Sequence, residues 1–88
     1  MEKTISKIKV SEFGGVRNQY TITTPEGYYF QSYKTIIVAI ENGKTYIDAQ
    51  KWNYSKTTGK YRNLFLRETR KETEKKIKSG EYQLVNLN

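Results

Sequence analysis

Hydrophobic and polar residues alternate along the first part of the chain. In residues 7–13, Ile8 and Val10 alternate with polar side chains, and in residues 19–24 Tyr20 and Ile22 do the same. A period of two is the pattern of a half-buried strand. The Gly-Gly pair at 14–15 and the Pro-Glu-Gly segment at 25–27 have the composition of turns. The pattern therefore predicts two strands, each followed by a turn.

Residues 28–41 form a longer segment rich in aromatic and β-branched side chains, which are typical of strands. We predict one long or interrupted strand here. Its second half, from Ile36 to Ile40, is apolar at every position, which is the pattern of a central strand covered on both faces. Asn42 and Gly43 predict a type I′ hairpin, because both central positions of that turn need a positive φ. Residues 44–49 are then the returning strand.

The hydrophobic period changes after Trp52. Tyr61, Leu64, Phe65 and Glu68 are spaced at i, i+3, i+4 and i+7, which predicts a helix with these positions toward the core.

A second helix is predicted to begin at Thr69, which forms a capping box with Glu72, and to end at Gly80. Two i,i+4 pairs are expected along it, Glu72 with Lys76 and Glu74 with Lys78. Residues 82–87 alternate again and predict a last strand. The chain is thus predicted to be a single α+β domain, residues 1–88: an antiparallel β-meander of four to five strands with two helices inserted before a C-terminal strand.

The net charge of +7 is carried by one third of the chain. Residues 51–79 contain ten basic and three acidic side chains, whereas the rest of the chain contains six of each. Such an asymmetry indicates an anionic partner, of which nucleic acid is the commonest. The alternative is a solvated helical face that keeps a small protein soluble.

The composition argues against an enzyme. The chain has no His and no Cys, which excludes the usual nucleophile–base pairs and most zinc and transition-metal sites. Asp48 is the only aspartate, and the glutamates form no cluster spaced for Mg²⁺ or Ca²⁺. We therefore expect a binding protein without catalytic residues, cofactor or metal.

Three features concern the compartment. The lack of Cys favours a reducing one. No apolar run approaches the ~18 residues of a membrane span, and residues 1–4 do not begin a signal peptide. We expect a cytoplasmic protein that does not contact a membrane.

Residues 51–79, which we call the basic region, supply the candidate binding residues. Cations and one amide are expected to contact the partner or nucleic acid: Lys56, Lys60, Arg62, Asn63, Arg67, Arg70, Lys71, Lys75 and Lys78. At about 100° per residue, Lys60, Asn63, Arg67 and Lys71 are predicted to form one stripe, which can follow phosphates.

Hydroxyl side chains surround the predicted start of the first helix. Ser55, Thr57 and Thr58 lie beside free backbone donors, which is how helix N-termini bind anions. Ordinary capping explains the same residues without a ligand.

Four aromatic residues are candidates for stacking or contact. Trp52 and Tyr54 lie among the cations of residues 51–79, where they are either base-stacking groups or core residues. Tyr29 and Tyr33 alternate with Tyr28, so they face away from it. If the helices cover one face only, this tyrosine face is a stacking platform for RNA or a protein-binding surface.

Three segments together resemble a known family. Residues 30–33, 54–58 and 62–66 follow a pattern close to F-x-S-Y … Y-S-x-T-T … F-L. This pattern is similar to that of small proteins without an assigned activity, encoded by phages and mobile elements of low-GC Gram-positive bacteria. The resemblance covers about residues 28–87 and leaves the first strand pair outside.

The resemblance implies a phage accessory protein in a host bacterial cell. Such proteins often act against host defences, as anti-CRISPR inhibitors do. We therefore expect a partner that is a host protein or nucleoprotein complex, bound and inhibited or modulated through the basic helices. A direct DNA- or RNA-binding regulator and a structural component of the phage particle are the alternatives.

Overall fold

The computed structural model describes residues 8–88 and shows an α+β fold built on one six-stranded sheet. The strands are β1 (Lys9–Glu12), β2 (Gln19–Thr23), β3 (Gly27–Ser32), β4 (Thr35–Glu41), β5 (Lys44–Asp48) and β6 (Tyr82–Val85). The helices α1 (Lys56–Leu66) and α2 (Arg70–Ser79) lie between β5 and β6 in the chain. The first strand was predicted to begin at residue 7, which lies outside the described residues. Residues 1–4, which were predicted not to begin a signal peptide, also lie outside them.

The sheet is mixed. Strands β1 to β5 are antiparallel neighbours in chain order, whereas β6 runs parallel to β5, with Thr45 beside Tyr82. The predicted α+β class is confirmed, but the strand count and the purely antiparallel meander are wrong. Because the two helices carry the chain back across the sheet, the last strand enters in the same direction as β5.

The predicted strand over residues 28–41 is two strands. β3 ends at Ser32, and Tyr33 adopts a left-handed conformation with φ 56°. The N–H of Tyr33 donates to the carbonyl oxygen of Asn18 at 2.6 Å, which ties this turn to the start of β2. The segment therefore forms a hairpin without the Gly or Asn that usually marks one.

A β-bulge explains the apolar run in β4. Phe30 pairs with Val38 and Gln31 with Ile36, so Ile37 is an extra residue between them. Both Ile37 and Val38 are completely buried in the same core cluster. The bulge thus puts Ile37 and Val38 on the helical side, whereas Ile36 and Ala39 lie on the other face. No helix or strand of residues 8–88 packs on that other face, so the prediction that β4 is covered on both faces is wrong there.

The core lies between the sheet and the helices. Phe30, Ile37, Val38, Ile47 and Tyr82 form its centre. The helices add Tyr61, Phe65, Leu66 and Ile77. The ring of Phe65 stacks on Phe30 at 5.5 Å, which is the geometry that aromatic pairs prefer.

The face of α1 that meets the sheet is partly polar. Thr58 and Arg62 are completely buried, and the hydroxyls of Thr58 and Ser32 form a hydrogen bond of 2.9 Å. Leu64, predicted to face the core, is 55% exposed. The hydrophobic spacing therefore predicted the helix correctly and placed Tyr61 and Phe65 correctly against the core, but it was wrong for Leu64.

Residues close to each helix end determine where the helix begins or stops. α1 ends before Arg67, which is left-handed with φ 58°. Thr69 and Glu72 form the predicted capping box, with hydrogen bonds of 2.8 and 3.2 Å. Gly80, with φ 87°, ends α2 as predicted.

Glu68 fastens α2 to the sheet. Its carboxylate, only 5% exposed, accepts hydrogen bonds from Lys76 at 2.7 Å, Thr73 at 2.6 Å and Tyr82 at 3.0 Å. Burial opposes ionisation, but these hydrogen bonds outweigh it and hold the pKa of Glu68 below its usual range. The predicted pairs Glu72–Lys76 and Glu74–Lys78 are wrong, because the ion pair between Lys76 and Glu68 is the only one in residues 8–88.

Gly27 allows β3 and β4 to approach closely. A Cβ atom at this position would overlap the carbonyl oxygen of Ile40 and lie 2.7 Å from Cγ of Glu41. The φ angle of Gly27 is not in the left-handed region, so the requirement is for space.

Replacement of Gly27 by Ala is therefore expected to lower the free energy of unfolding by about 1–3 kcal/mol, the usual cost of overpacking. Urea denaturation followed by circular dichroism measures it. Gly59→Ala is the matched control, because its Cβ would meet atoms no closer than 3.7 Å and Ala favours a helix. Equal stability of the two variants would contradict the steric argument.

Glu68→Gln is expected to lower the free energy of unfolding at pH 7 by about 1–3 kcal/mol, because hydrogen bonds to a charged group are lost or weakened. The pKa of Glu68 is lower in the folded protein than in the unfolded chain, so its ionised form stabilises the fold fully above the unfolded value of ~4.3. This contribution is lost as the pH falls through the folded pKa.

The difference between wild type and Glu68→Gln should therefore shrink below pH ~4.3, as measured by urea denaturation at a series of pH values. Glu81→Gln is the control, because Glu81 is exposed and a surface change is usually within ~0.5 kcal/mol. A constant difference down to acid pH would show that Glu68 does not act through its charge.

Candidate functional site

A shallow pocket of about 510 Å³ opens where α1 begins. It is lined by Asn53, Tyr54, Ser55, Lys56, Gly59, Lys60, Arg62, Asn63 and Arg70. Four of these side chains are cations and none is a carboxylate. We call this site the basic pocket.

The loop before α1 is fixed by Asp48 and by the helix cap. Asp48 Oδ2 accepts from the N–H of Lys51 at 2.9 Å, and the carbonyl oxygen of Asp48 accepts from the N–H of Trp52 at 3.1 Å. Ser55 Oγ accepts from the N–H of Thr58 at 3.1 Å. One wall of the basic pocket is therefore built by short-range hydrogen bonds.

Arg62 forms the floor of the basic pocket. Its guanidinium donates to the carbonyl oxygen of Trp52, to Asn53 Oδ1 at 3.2 Å and to Asn63 Oδ1 at 2.8 Å. Its Cζ atom lies 5.0 Å from the ring centroid of Trp52. Arg62 was predicted to contact the partner from the surface, but it is completely buried and joins α1 to the preceding loop.

The charge of Arg62 is not neutralised by a carboxylate in residues 8–88, and its Nε atom has no hydrogen-bond partner there. Burial, and then the positive charge of Arg70, lower the pKa of Arg62. A buried unpaired cation adds to the positive potential of the pocket above it, because the protein interior screens charge poorly.

The rim of the basic pocket carries three exposed cations, Lys56, Lys60 and Arg70. Within the described residues none of them pairs with an acidic side chain, since Lys76 alone forms an ion pair. The pocket is thus a concave site of uncompensated positive charge, which attracts anions.

The predicted stripe along the first helix is not formed. Lys60 and Asn63 line the basic pocket, but Arg67 lies at the left-handed end of α1 and Lys71 belongs to α2. The stripe assumed a helix that continues through residue 71, whereas α1 ends at Leu66.

A second group of cations lies on α2. Lys71, Lys75 and Lys78 line a groove of about 440 Å³ together with Glu72 and Glu74. The two glutamates offset part of the positive charge there. The basic pocket is therefore the stronger anion site of the two.

The hydroxyls at the start of α1 have different roles. Ser55 caps the helix, so the capping alternative is confirmed for it. Thr58 is buried against Ser32, so the prediction that it binds an anion is wrong. Thr57 is exposed and remains a candidate.

The four aromatic candidates are divided between two sides of the molecule. Tyr54 lines the basic pocket, is 46% exposed and has Lys51 Nζ 4.9 Å from its ring centroid. Trp52 packs on the core and lies against Arg62, so it is not free to stack on a base. Tyr29 and Tyr33 line depressions on the opposite face of the sheet.

Asn53 lines the basic pocket, and no sequence pattern predicted this. Its side chain helps to hold the guanidinium of Arg62, but a single amide in a loop carries no periodic signal that would identify it.

In residues 8–88 no group of three or more acidic side chains is placed to hold a metal ion, and none of the helices there has the length and apolarity needed to span a membrane.

Arg62→Lys is expected to lower the free energy of unfolding by about 1–3 kcal/mol, because a single ammonium group cannot reach the three acceptors that the planar guanidinium serves. Thermal and urea denaturation measure the change. Arg67→Lys is the control, since Arg67 is exposed and its replacement should alter stability by less than ~0.5 kcal/mol. Arg62 would have no anchoring role if both variants were as stable as the wild type.

Comparison with known proteins gives a family but no activity. No curated protein and no solved structure matches the chain. The sequence profile of a family of unknown function (DUF8033) matches residues 5–81, which include the β1–β2 pair that the resemblance noted above left outside. The chain therefore belongs to this family of unknown function, DUF8033.

Proposed function

We propose that this chain is a non-enzymatic accessory protein that binds a host nucleic-acid-handling complex and inhibits or modulates it. The observation that carries the proposal is the basic pocket, where four cations meet without a carboxylate. The proposed contact is with phosphates of the nucleic acid that the complex holds. The proposed setting is the cytoplasm of a bacterial host, and the proposed origin is a phage or mobile element, which the F-x-S-Y … Y-S-x-T-T … F-L resemblance supports.

The physical basis is the match between the pocket and a phosphate chain. Lys56 and Lys60 lie one turn apart on α1, about 6 Å along the helix axis at 1.5 Å per residue. Backbone N–H groups at the helix start, capped by Ser55, add a favourable dipole. Cations that neutralise phosphates release counterions, so the affinity should fall steeply with salt.

Direct binding to free nucleic acid is the second candidate. Tyr54 favours it, because an exposed ring at the rim of the basic pocket can stack on an unpaired base of any sequence. In this case the protein would act without a partner protein.

The test is a triple charge reversal, Lys56→Glu, Lys60→Glu and Arg70→Glu. Its control reverses the exposed cations Lys9, Arg17 and Lys44, which changes the net charge equally. Tagged proteins are incubated with bacterial host lysate, and captured material is quantified by mass spectrometry and by nucleic-acid staining. The pocket variant should capture at least about tenfold less of the complex than the wild type, as expected when a few phosphate contacts become repulsive. The control variant should capture as much as the wild type.

Nuclease treatment and salt titration separate the two candidates. Capture of a protein complex that survives nuclease favours the host-complex function. Direct binding predicts affinity for a labelled oligonucleotide with log K falling against log[salt], by about 0.9 per phosphate on duplex DNA and 0.7 on single strands. Full capture by the pocket variant would overturn both, and the protein would then have to act through another surface.

A further inference from the structure

The helices cover one face of the sheet, and apolar side chains line the other. Each strand contributes to this second face, through Val10, Ile22, Tyr29, Ile36, Tyr46 and Val85. They line two adjoining depressions of about 540 and 590 Å³ that share Ile22. We call this surface the open face, since no element within residues 8–88 packs on it.

Alternation along the strands fixes which residues belong to the open face. Tyr29, Ala39 and Tyr46 line it, whereas their neighbours Phe30, Val38 and Ile47 are buried under the helices. The basic pocket is on the helical side of the molecule. The two surfaces are therefore on opposite sides of the sheet.

The charge of the open face does not suit an anionic partner. Among the residues that line its depressions, Lys34 is the one cation and Glu41 the one carboxylate, and Glu41 already accepts a hydrogen bond from the hydroxyl of Tyr29. Nucleic acid or an acidic peptide would therefore find a single cation, Lys34, to pair with there. The surface that complements it is neutral, apolar and aromatic, as the open face itself is.

The size of the open face suits sheet-on-sheet packing. Six strands spaced by ~4.8 Å and about five residues of ~3.4 Å each give a footprint on the order of 500 Å² before side-chain relief is counted. This lies within the range of the largest apolar patches that mark interaction sites. It is smaller than the ~800 Å² per partner of a standard interface, so the association is expected to be weak.

We propose that the open face packs against the same face of a second copy of this chain, forming a two-fold symmetric dimer. Two packed sheets lie ~10 Å apart, and each helical layer lies outside its own sheet. The basic regions of two copies would then be separated by the full thickness of both sheets, well beyond the ~8 Å Debye length at physiological salt. The net charge of +7 per chain does not oppose this arrangement. The dimer would present two basic pockets on opposite outer surfaces, and it does not depend on the proposed function.

Sedimentation equilibrium of the whole chain tests the proposal. We expect a dimer of the 10.4 kDa chain at concentrations of tens of micromolar, about 10⁻⁵ M. Ile22→Lys places a charge where the two depressions meet and should weaken dimerisation at least about 100-fold. Val10→Lys, at a position that is 60% exposed on the edge strand, should also weaken it without disturbing the fold.

Leu64→Lys is the matched control, because Leu64 is an exposed apolar residue on the helical side. It adds the same charge and should leave the dimer intact. A wild-type monomer at 200 μM, on the order of the weakest specific associations, would overturn the proposal. The proposal would also be overturned if Leu64→Lys weakened the dimer as much as Ile22→Lys does. A chain that dimerised only after removal of residues 1–7 would overturn it too, because that segment would then be the occupant of the open face. A dimer that survives both Ile22→Lys and Val10→Lys would place the interface elsewhere.

Discussion

The guanidinium of Arg62 connects the core, the loop at 52–53 and the start of α1 in one hydrogen-bonded unit. A small chain with 35% hydrophobic residues has little apolar area with which to hold a helical layer on a sheet. Polar anchors therefore help to hold the helices, Arg62 at α1 and Glu68 with its three hydrogen-bond donors at α2. Glu68 has a counter-ion, whereas Arg62 depends on neutral acceptors. The same buried cation that holds the loop thus contributes to the positive potential above it.

The sheet divides the molecule into two chemically different sides. The helical side carries the excess of positive charge from residues 51–79, and the opposite side is nearly neutral and apolar. Strand alternation creates this division, because each strand sends neighbouring side chains to opposite faces. The bulge at Ile37 adds a buried residue on the helical side without disturbing that arrangement elsewhere. Contacts of different chemistry can thus be made independently on the two sides.

The sequence predicted features whose determinants lie within a few residues of each other. The Asn42-Gly43 turn has φ angles of 52° and 75°, and the capping box at Thr69 is formed by a residue only three positions away. The turn at Tyr33 was not predicted, because pairing of the flanking strands imposes a left-handed conformation on a residue that does not favour it.

The burial of Arg62 was not predicted either. It requires acceptors from a loop and from its own helix, and no hydrophobic period encodes such an arrangement. The cations of the basic pocket could be identified from the charge distribution along the chain. Which of them lie close together depends on where α1 ends, at Leu66, and the sequence did not predict that end.

The parallel pairing of β5 with β6 affects the order in which the sheet can assemble. Strands β1 to β5 follow one another through short connections, so each pairing closes a small loop. Thr45 reaches Tyr82 only after the whole helical segment has been traversed, and this closure costs more chain entropy than any of the others. Non-local pairing of this kind slows folding. We therefore expect β6 to be the last strand to join the sheet.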